Sequence, residues 1–131
     1  MSTLGDMTAH FSSNEFACKC KSKGLPTKHG YCGGKVWIRP RLVDKLEELR
    51  SALGGKAITV NSGCRCAEYN AYVGGAPGSQ HKLGTAADIQ VAGFTPGEVA
   101  DVAEKLGFGG VGRYATFTHV DVRPITARWN G

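Results

Sequence analysis

Nineteen glycines are scattered through 131 residues with no Gly-x-y period, a share about twice the ~7% of an ordinary protein. Glycine marks tight turns and close backbone approaches and weakens the interior of helices and strands. The chain must therefore be divided into short elements joined by turns, which excludes fibrous arrays and long regular segments. At this length roughly two thirds of the unfolded surface can be buried, enough for one core and one domain spanning residues 1–131. An apolar share of 41% with 21% charged residues belongs to a globular chain, not a disordered one. The prediction is a compact, loop-rich α+β domain.

The local patterns divide it as follows. Phe11-Ser-Ser-Asn-Glu-Phe16 has capping-box spacing between Ser12 and Glu15, with Phe11 and Phe16 as a staple pair, and predicts a short helical turn. Residues 18–35 carry no apolar period and read as a loop. Pro40 opens the clearest helix, with Leu42, Val43, Leu46, Leu49 and Leu53 on one stripe and Gly54-Gly55 as its stop. Ala57–Asn61 and Ala86–Val91 have the character of strands, and a short helix is expected over 67–73. Gly74-Gly-Ala-Pro-Gly-Ser79 is turn chemistry. Thr95-Pro96-Gly97-Glu98 is a complete helix start, with the stop at Gly107. Segments 108–114 and 117–122 predict paired strands around Ala115-Thr116, forming an antiparallel edge of the sheet.

Charge is uneven. Residues 1–41 carry Lys19, Lys21, Lys23, Lys28, Lys35, Arg39 and Arg41 against Asp6 and Glu15, whereas residues 42–131 are neutral overall. The basic third implies either an anionic partner such as a wall polymer or a solvated lysine-rich loop. No aromatic residues interleave with Lys19–Lys28, so a nucleic-acid partner is not expected. No apolar run approaches a membrane span. The opening Met1–Asp6 lacks the basic start and apolar core of a secretory leader, which predicts a chain made in the cytoplasm that leaves, if at all, by a route it does not encode.

Two histidines sit where a metal is a natural reading. His81 lies in the glycine-rich loop seven residues before Asp88 at a strand start, and His119 and Asp121 alternate on the last strand, so they share a face. Two imidazoles, one carboxylate and a water would make an open tetrahedral zinc site; a capping or surface histidine and an arginine-paired aspartate is the alternative.

Ser79-Gln-His81-Lys-Leu-Gly84-Thr-Ala86-Ala-Asp88 matches S-x-H-x-x-G-x-A-x-D. With the later His119-Val-Asp121, and with Ser62-Gly-Cys-Arg65 in the place of S-G-x-R, it resembles the D-alanyl-D-alanine carboxypeptidase family of zinc peptidases, over about 11–122. The resemblance implies a hedgehog/DD-peptidase-like fold with a small, mostly antiparallel sheet. It also implies His81, Asp88 and His119 as zinc ligands, Arg65 as a binder of the oxyanion or substrate carboxylate, and a peptidoglycan stem peptide as substrate. Relatives often place Glu or Asp three residues before the last histidine; here that position is Thr116. Asp121 is then the candidate catalytic base, with the competing role of fixing the tautomer of a ligand histidine. Arg65 has a structural alternative, an ion pair with Glu68. Ser79 and Tyr114 are candidate substrate contacts, for the substrate backbone and the developing oxyanion; a serine also suits a turn and a strand tyrosine a core or rim.

Cys18, Cys20, Cys32, Cys64 and Cys66 form two C-x-C pairs and a single. Three states are open to them: a second, structural zinc held by the 18–32 loop with His29, Cys64 or Cys66, disulfides formed after release from the cell, or reduced thiols in the core. The expected function is a monomeric zinc carboxypeptidase or endopeptidase of the cell wall, compatible with a phage lysin. The alternative is a non-catalytic, zinc-stabilised assembly or wall-binding domain.

Overall fold

A computed structural model of the protein describes residues 8, 10–76 and 78–131. The Met1–Asp6 stretch and Pro77 of the glycine-rich turn lie outside the described residues. Among the described residues three α-helices, α1 (Pro40–Ala52), α2 (Ala67–Tyr72) and α3 (Pro96–Lys105), accompany strands β1 (Ile58–Ser62), β2 (Ala86–Val91), β3 (Gly110–Arg113), β4 (Thr118–Asp121) and β5 (Ala127–Asn130). One mixed sheet has the order β1-β2-β4-β3-β5, antiparallel throughout except for the parallel β3–β5 pair. Among the described residues no helix is long and apolar enough to cross a membrane.

The helices form where their ends are chemically marked. Pro40 occupies the first turn of α1, where its missing N–H is no loss. Thr95 caps α3 by accepting the Glu98 N–H, and the Glu98 carboxylate accepts the Thr95 N–H in return. Leu42, Val43, Leu46, Leu49 and Leu53 are all buried, as their stripe requires, each stabilising the fold by about 1.5–3 kcal/mol. They share one core with Val99, Ala100 and Ala103 of α3 and with Ala87, Ile89, Val111 and Val120 of the sheet. At the N-terminal side, the Phe11 and Phe16 rings meet at 5.9 Å and the Ser12 N–H donates to Glu15 at 2.7 Å.

Two features depart from the sequence expectation. The β3–β4 hairpin turns at 115–116, with the Tyr114 N–H donating to the Phe117 carbonyl, but it is not the sheet edge. β4 lies centrally between β2 and β3, and β5 covers β3, so β1 and β5 are the edges. A four-residue strand with one large apolar residue, Trp129, leaves too short a pattern to be read locally.

Strand alternation then sorts the sheet faces. Ala87, Ile89 and Val120 point into the core, so their neighbours point to the opposite face. Register aligns that second set in a row across all five strands: Ser62, Asp88, His119, Gly112 and Trp129. At Gly112 a Cβ would collide with the Trp129 indole. The missing side chain lets that ring lie across β3 and reach His119, at 4.9 Å between ring centroids.

Candidate metal centre

Asp88 and His119 face each other because β2 and β4 pair in that register. His81 is brought to them by the 3-10 turn Gln80–Leu83, which Ser79 caps by accepting the His81 N–H at 3.2 Å. Gly84 ends the turn at φ +73°, and a Cβ there would strike the Trp37 backbone carbonyl. The turn is clamped to the segment before α1 by two bonds, Arg39 N–H to the Gly84 carbonyl at 2.8 Å and the Trp37 indole N–H to the Lys82 carbonyl at 2.9 Å.

His81 Nε2 lies 3.2 Å and His119 Nδ1 3.0 Å from the same oxygen, Asp88 Oδ1. The other ring nitrogens define the tautomers. His81 Nδ1 is 2.7 Å from the Gly63 carbonyl, an acceptor only, so that nitrogen carries the proton. His119 Nε2 is 2.8 Å from Asp121 Oδ2, a carboxylate, and donates to it. In the neutral rings the nitrogens turned towards Asp88 are therefore lone pairs. Three electron-rich atoms facing one another repel unless a cation or a shared proton lies among them, and all three lie within 4.8 Å of one another. Two imidazoles and one carboxylate, each buried, are the donor set of an open divalent-metal site.

The electrostatics of the three groups agree. Burial works against charge on His119, but the bonds to Asp121 and Asp88 outweigh it and raise its pKa. Burial also opposes charge on Asp88, yet bonds from His119 and His81 hold its carboxyl well below the usual carboxylate range.

Arg65 braces the far side of Asp88. Its Nη2 donates to Asp88 Oδ2 at 3.1 Å, Nη1 to Asn70 at 3.3 Å and Nε to Ser62 at 3.2 Å. Its ion pair is thus with Asp88, while Glu68 packs beside Gly30. Two of the five guanidinium N–H groups remain, and Arg65 lines an open cleft of about 470 Å³ above the three donors. Ser79 and Tyr114 also line it; the Tyr114 hydroxyl accepts the Trp129 indole N–H at 2.9 Å, and its ring stacks on Phe117 at 4.4 Å.

Asp121 does not line the cleft. It is fully buried behind His119, and its two oxygens accept from His119 and from Arg123 through Nε, Nη2 and the backbone N–H at 2.7–3.1 Å. Burial opposes its charge, but the His119 and Arg123 bonds keep its carboxyl well below the ordinary range. The base expected at Asp121 has no exposed oxygen with which to meet a water. Thr116 faces a different cavity, together with Thr59, Gln90 and Phe94. Among the described residues Asp88 is the sole carboxylate lining the cleft.

Three contributors escaped the sequence reading. Arg123 pairs with Asp121, lies over the Trp129 ring at 5.1 Å and lines the cleft; its spacing of two from Asp121 was the available signal. Trp129 depends on the unread β5. Asn70, buried, accepts from Arg65 and donates to the Ala76 carbonyl at 2.8 Å, with no local pattern to mark it.

Comparison with known proteins points the same way. Over 64 residues, 49% of this chain, the sequence is 42% identical to a zinc D-Ala-D-Ala carboxypeptidase of Streptomyces albus G. The match spans about a quarter of that relative, 25% of its length. The family model for peptidase M15 matches residues 9–122, a span that includes every element from the first helical turn through β4, and the chain belongs to that family.

Proposed function

We propose that this chain is a zinc peptidase that hydrolyses a peptide bond in peptidoglycan stem peptides, as a D-Ala-D-Ala carboxypeptidase or a related endopeptidase. The observation that carries the reading is the meeting of His81 Nε2, Asp88 Oδ1 and His119 Nδ1 beneath an open cleft. Zinc held by these three would supply a Lewis acid for the scissile carbonyl and an acidified water. The chain's own residues do the rest. Gly63 and Asp121 hold the ring protons of His81 and His119 on the nitrogens away from the cleft, the usual means of orienting ligand imidazoles. Arg65 fixes Asp88 and turns its remaining N–H groups towards the substrate. With Arg123 it makes the cleft cationic apart from Asp88, which suits a substrate carrying a free carboxylate. Ser79 is first a turn cap, and Tyr114 contributes a wall to the cleft. Asp121 acts through His119 and not as the base.

The reading includes a monomer acting at the bacterial wall, reached by phage-type release. Digestion of purified muropeptides followed by mass spectrometry tests the activity: free D-alanine identifies the carboxypeptidase, a severed cross-link the endopeptidase. Hydrolysis that persists in chelator would overturn the zinc reading. One observation favours a second reading, a zinc-stabilised assembly or wall-binding domain: neither Thr116 nor Asp121 places a carboxylate in the cleft. Wall binding with no product from any muropeptide would select it.

A further inference from the structure

The loop between Cys18 and Lys35 carries little regular structure and is held by turns and by Leu25 and Tyr31 packed at the edge of the core. Apart from one 3-10 turn at Thr27–His29 it has no helix or strand, and loops of this length without elements of their own are uncommon in compact domains. Its ends are tied by the Cys18 N–H bond to the Lys35 carbonyl at 3.0 Å, but between them only Cys18 and Cys20 are buried. At the centre of the loop four sulfurs converge, from Cys18, Cys20 and Cys32 and from Cys66 at the start of α2, all within 4.8 Å of one another. Cys64 is apart from them, accepting the Trp37 N–H at 3.2 Å, and His29 is exposed outside the cluster.

We infer that Cys18, Cys20, Cys32 and Cys66 form a second metal site, a closed tetrathiolate centre for zinc that has a structural role. Zn–S bonds of about 2.3 Å in a tetrahedron require sulfurs about 3.8 Å apart. Cys18 and Cys66 lie 3.7 Å apart and Cys20 and Cys32 3.6 Å apart, two opposite edges of such a tetrahedron. A disulfide needs about 2.05 Å, and two disulfides would separate the four atoms into pairs. The backbone contributes a donor as well, with the Cys66 N–H directed at Cys18 Sγ at 3.4 Å, which favours sulfur as thiolate.

Charge supplies an independent argument. Residues 16–41 hold five lysines and two arginines and no acidic residue. Four thiolates around one divalent zinc leave a net −2 within this cationic loop, the missing counter-charge for the segment. The basic third of the chain is then explained without an anionic partner. Because Cys66 directly follows Arg65, the centre also anchors the backbone from which Arg65 reaches Asp88.

Metal analysis of the purified chain, kept reduced and never exposed to chelator, should find two zinc ions per chain. The His81→Ala/His119→Ala double variant should keep one, and its cobalt-exchanged form should show the intense sulfur-to-metal charge-transfer band of a tetrathiolate. Cys32→Ser should lose one of the two ions and be nicked faster by protease within residues 21–34. Should that variant fail to fold, titration of the double variant with a mercurial reagent decides, with one zinc released per four thiols expected. A double variant that retains no zinc, no charge-transfer band from its cobalt-exchanged form, or intact-mass evidence for disulfides among the four cysteines would each overturn the site, whereas one zinc in the wild type that the double variant keeps would count against the histidine site alone.

Discussion

Replacing Asp121 by Asn separates the two roles a buried carboxylate beside a histidine of the proposed zinc site can play. The change conserves shape and removes charge. Oδ1 accepts from the backbone N–H and Nε of Arg123, and Oδ2 from His119 Nε2 and Arg123 Nη2. An amide nitrogen in either position therefore points a donor at donors. Breaking a buried ion pair costs about 3–5 kcal/mol, but the Arg123 side chain is 26% exposed and recovers part of its hydration, so the stability loss should be about 2–3 kcal/mol. The His119 ring loses the charged acceptor that fixes its tautomer, and zinc affinity should fall about 10–100-fold, equivalent to about 1.4–2.7 kcal/mol. Competition against a chromophoric chelator measures the affinity, and urea unfolding of the metal-free protein measures the stability. A catalytic base would behave differently, with zinc affinity unchanged and turnover reduced by about 10²–10⁴. That second pattern would refute the assignment of Asp121 to the support of His119.

Gly84→Ala should destabilise the fold by about 2–4 kcal/mol in urea unfolding, combining a left-handed φ for alanine with a blocked approach to Trp37; a loss under 1 kcal/mol would mean the turn relaxes freely. Arg65→Lys keeps the charge but cannot bridge Asp88, Asn70 and Ser62 together, and should weaken zinc binding about tenfold by the same competition assay. Leu46→Ala, at a fully buried position, should cost about 2–5 kcal/mol without altering metal content. The pKa of His119 is raised in the metal-free protein, so its stabilising contribution is complete below its unfolded value of about 6.5 and is lost as pH rises through the folded value. Zinc requires the ring unprotonated, so its stabilisation grows over the same interval. Melting temperatures measured upwards from pH 6 should accordingly fall with chelator and rise with zinc; parallel slopes would contradict this linkage.

Much of the secondary structure was legible because its signals are local. The α1 stripe from Leu42 to Leu53, the Thr95–Glu98 cap and the β-branched core of β1 lie within a few residues of one another, and each element formed where its pattern placed it. Ser79–Asp88 likewise carries its turn chemistry and two of the three converging donors in one short run. What lay beyond local reading depends on strand order and register. Asp88 meets His119 across a pairing of residues 31 apart, and the spacing of Asp121 from His119 shows a shared face without showing whether Asp121 looks into the cleft or away from it.

The sequence alone marked His81, Asp88 and His119 as candidate donors, and it determined the short elements forced by nineteen glycines and the amphipathic helix that anchors the core. Tertiary structure decided which donors meet, because a metal site is a statement about distance, and distance across a sheet is set by register. It placed Arg65 on Asp88 and not on Glu68, sealed Asp121 behind His119 with Arg123, and brought Trp129 over Gly112 through a strand too short to announce itself. It also gathered four of the five cysteines from segments up to 48 residues apart, leaving Cys64 in the core. These outcomes rest on packing, which selects among the many partners that charge and spacing permit and is settled only when the whole chain has closed around one core.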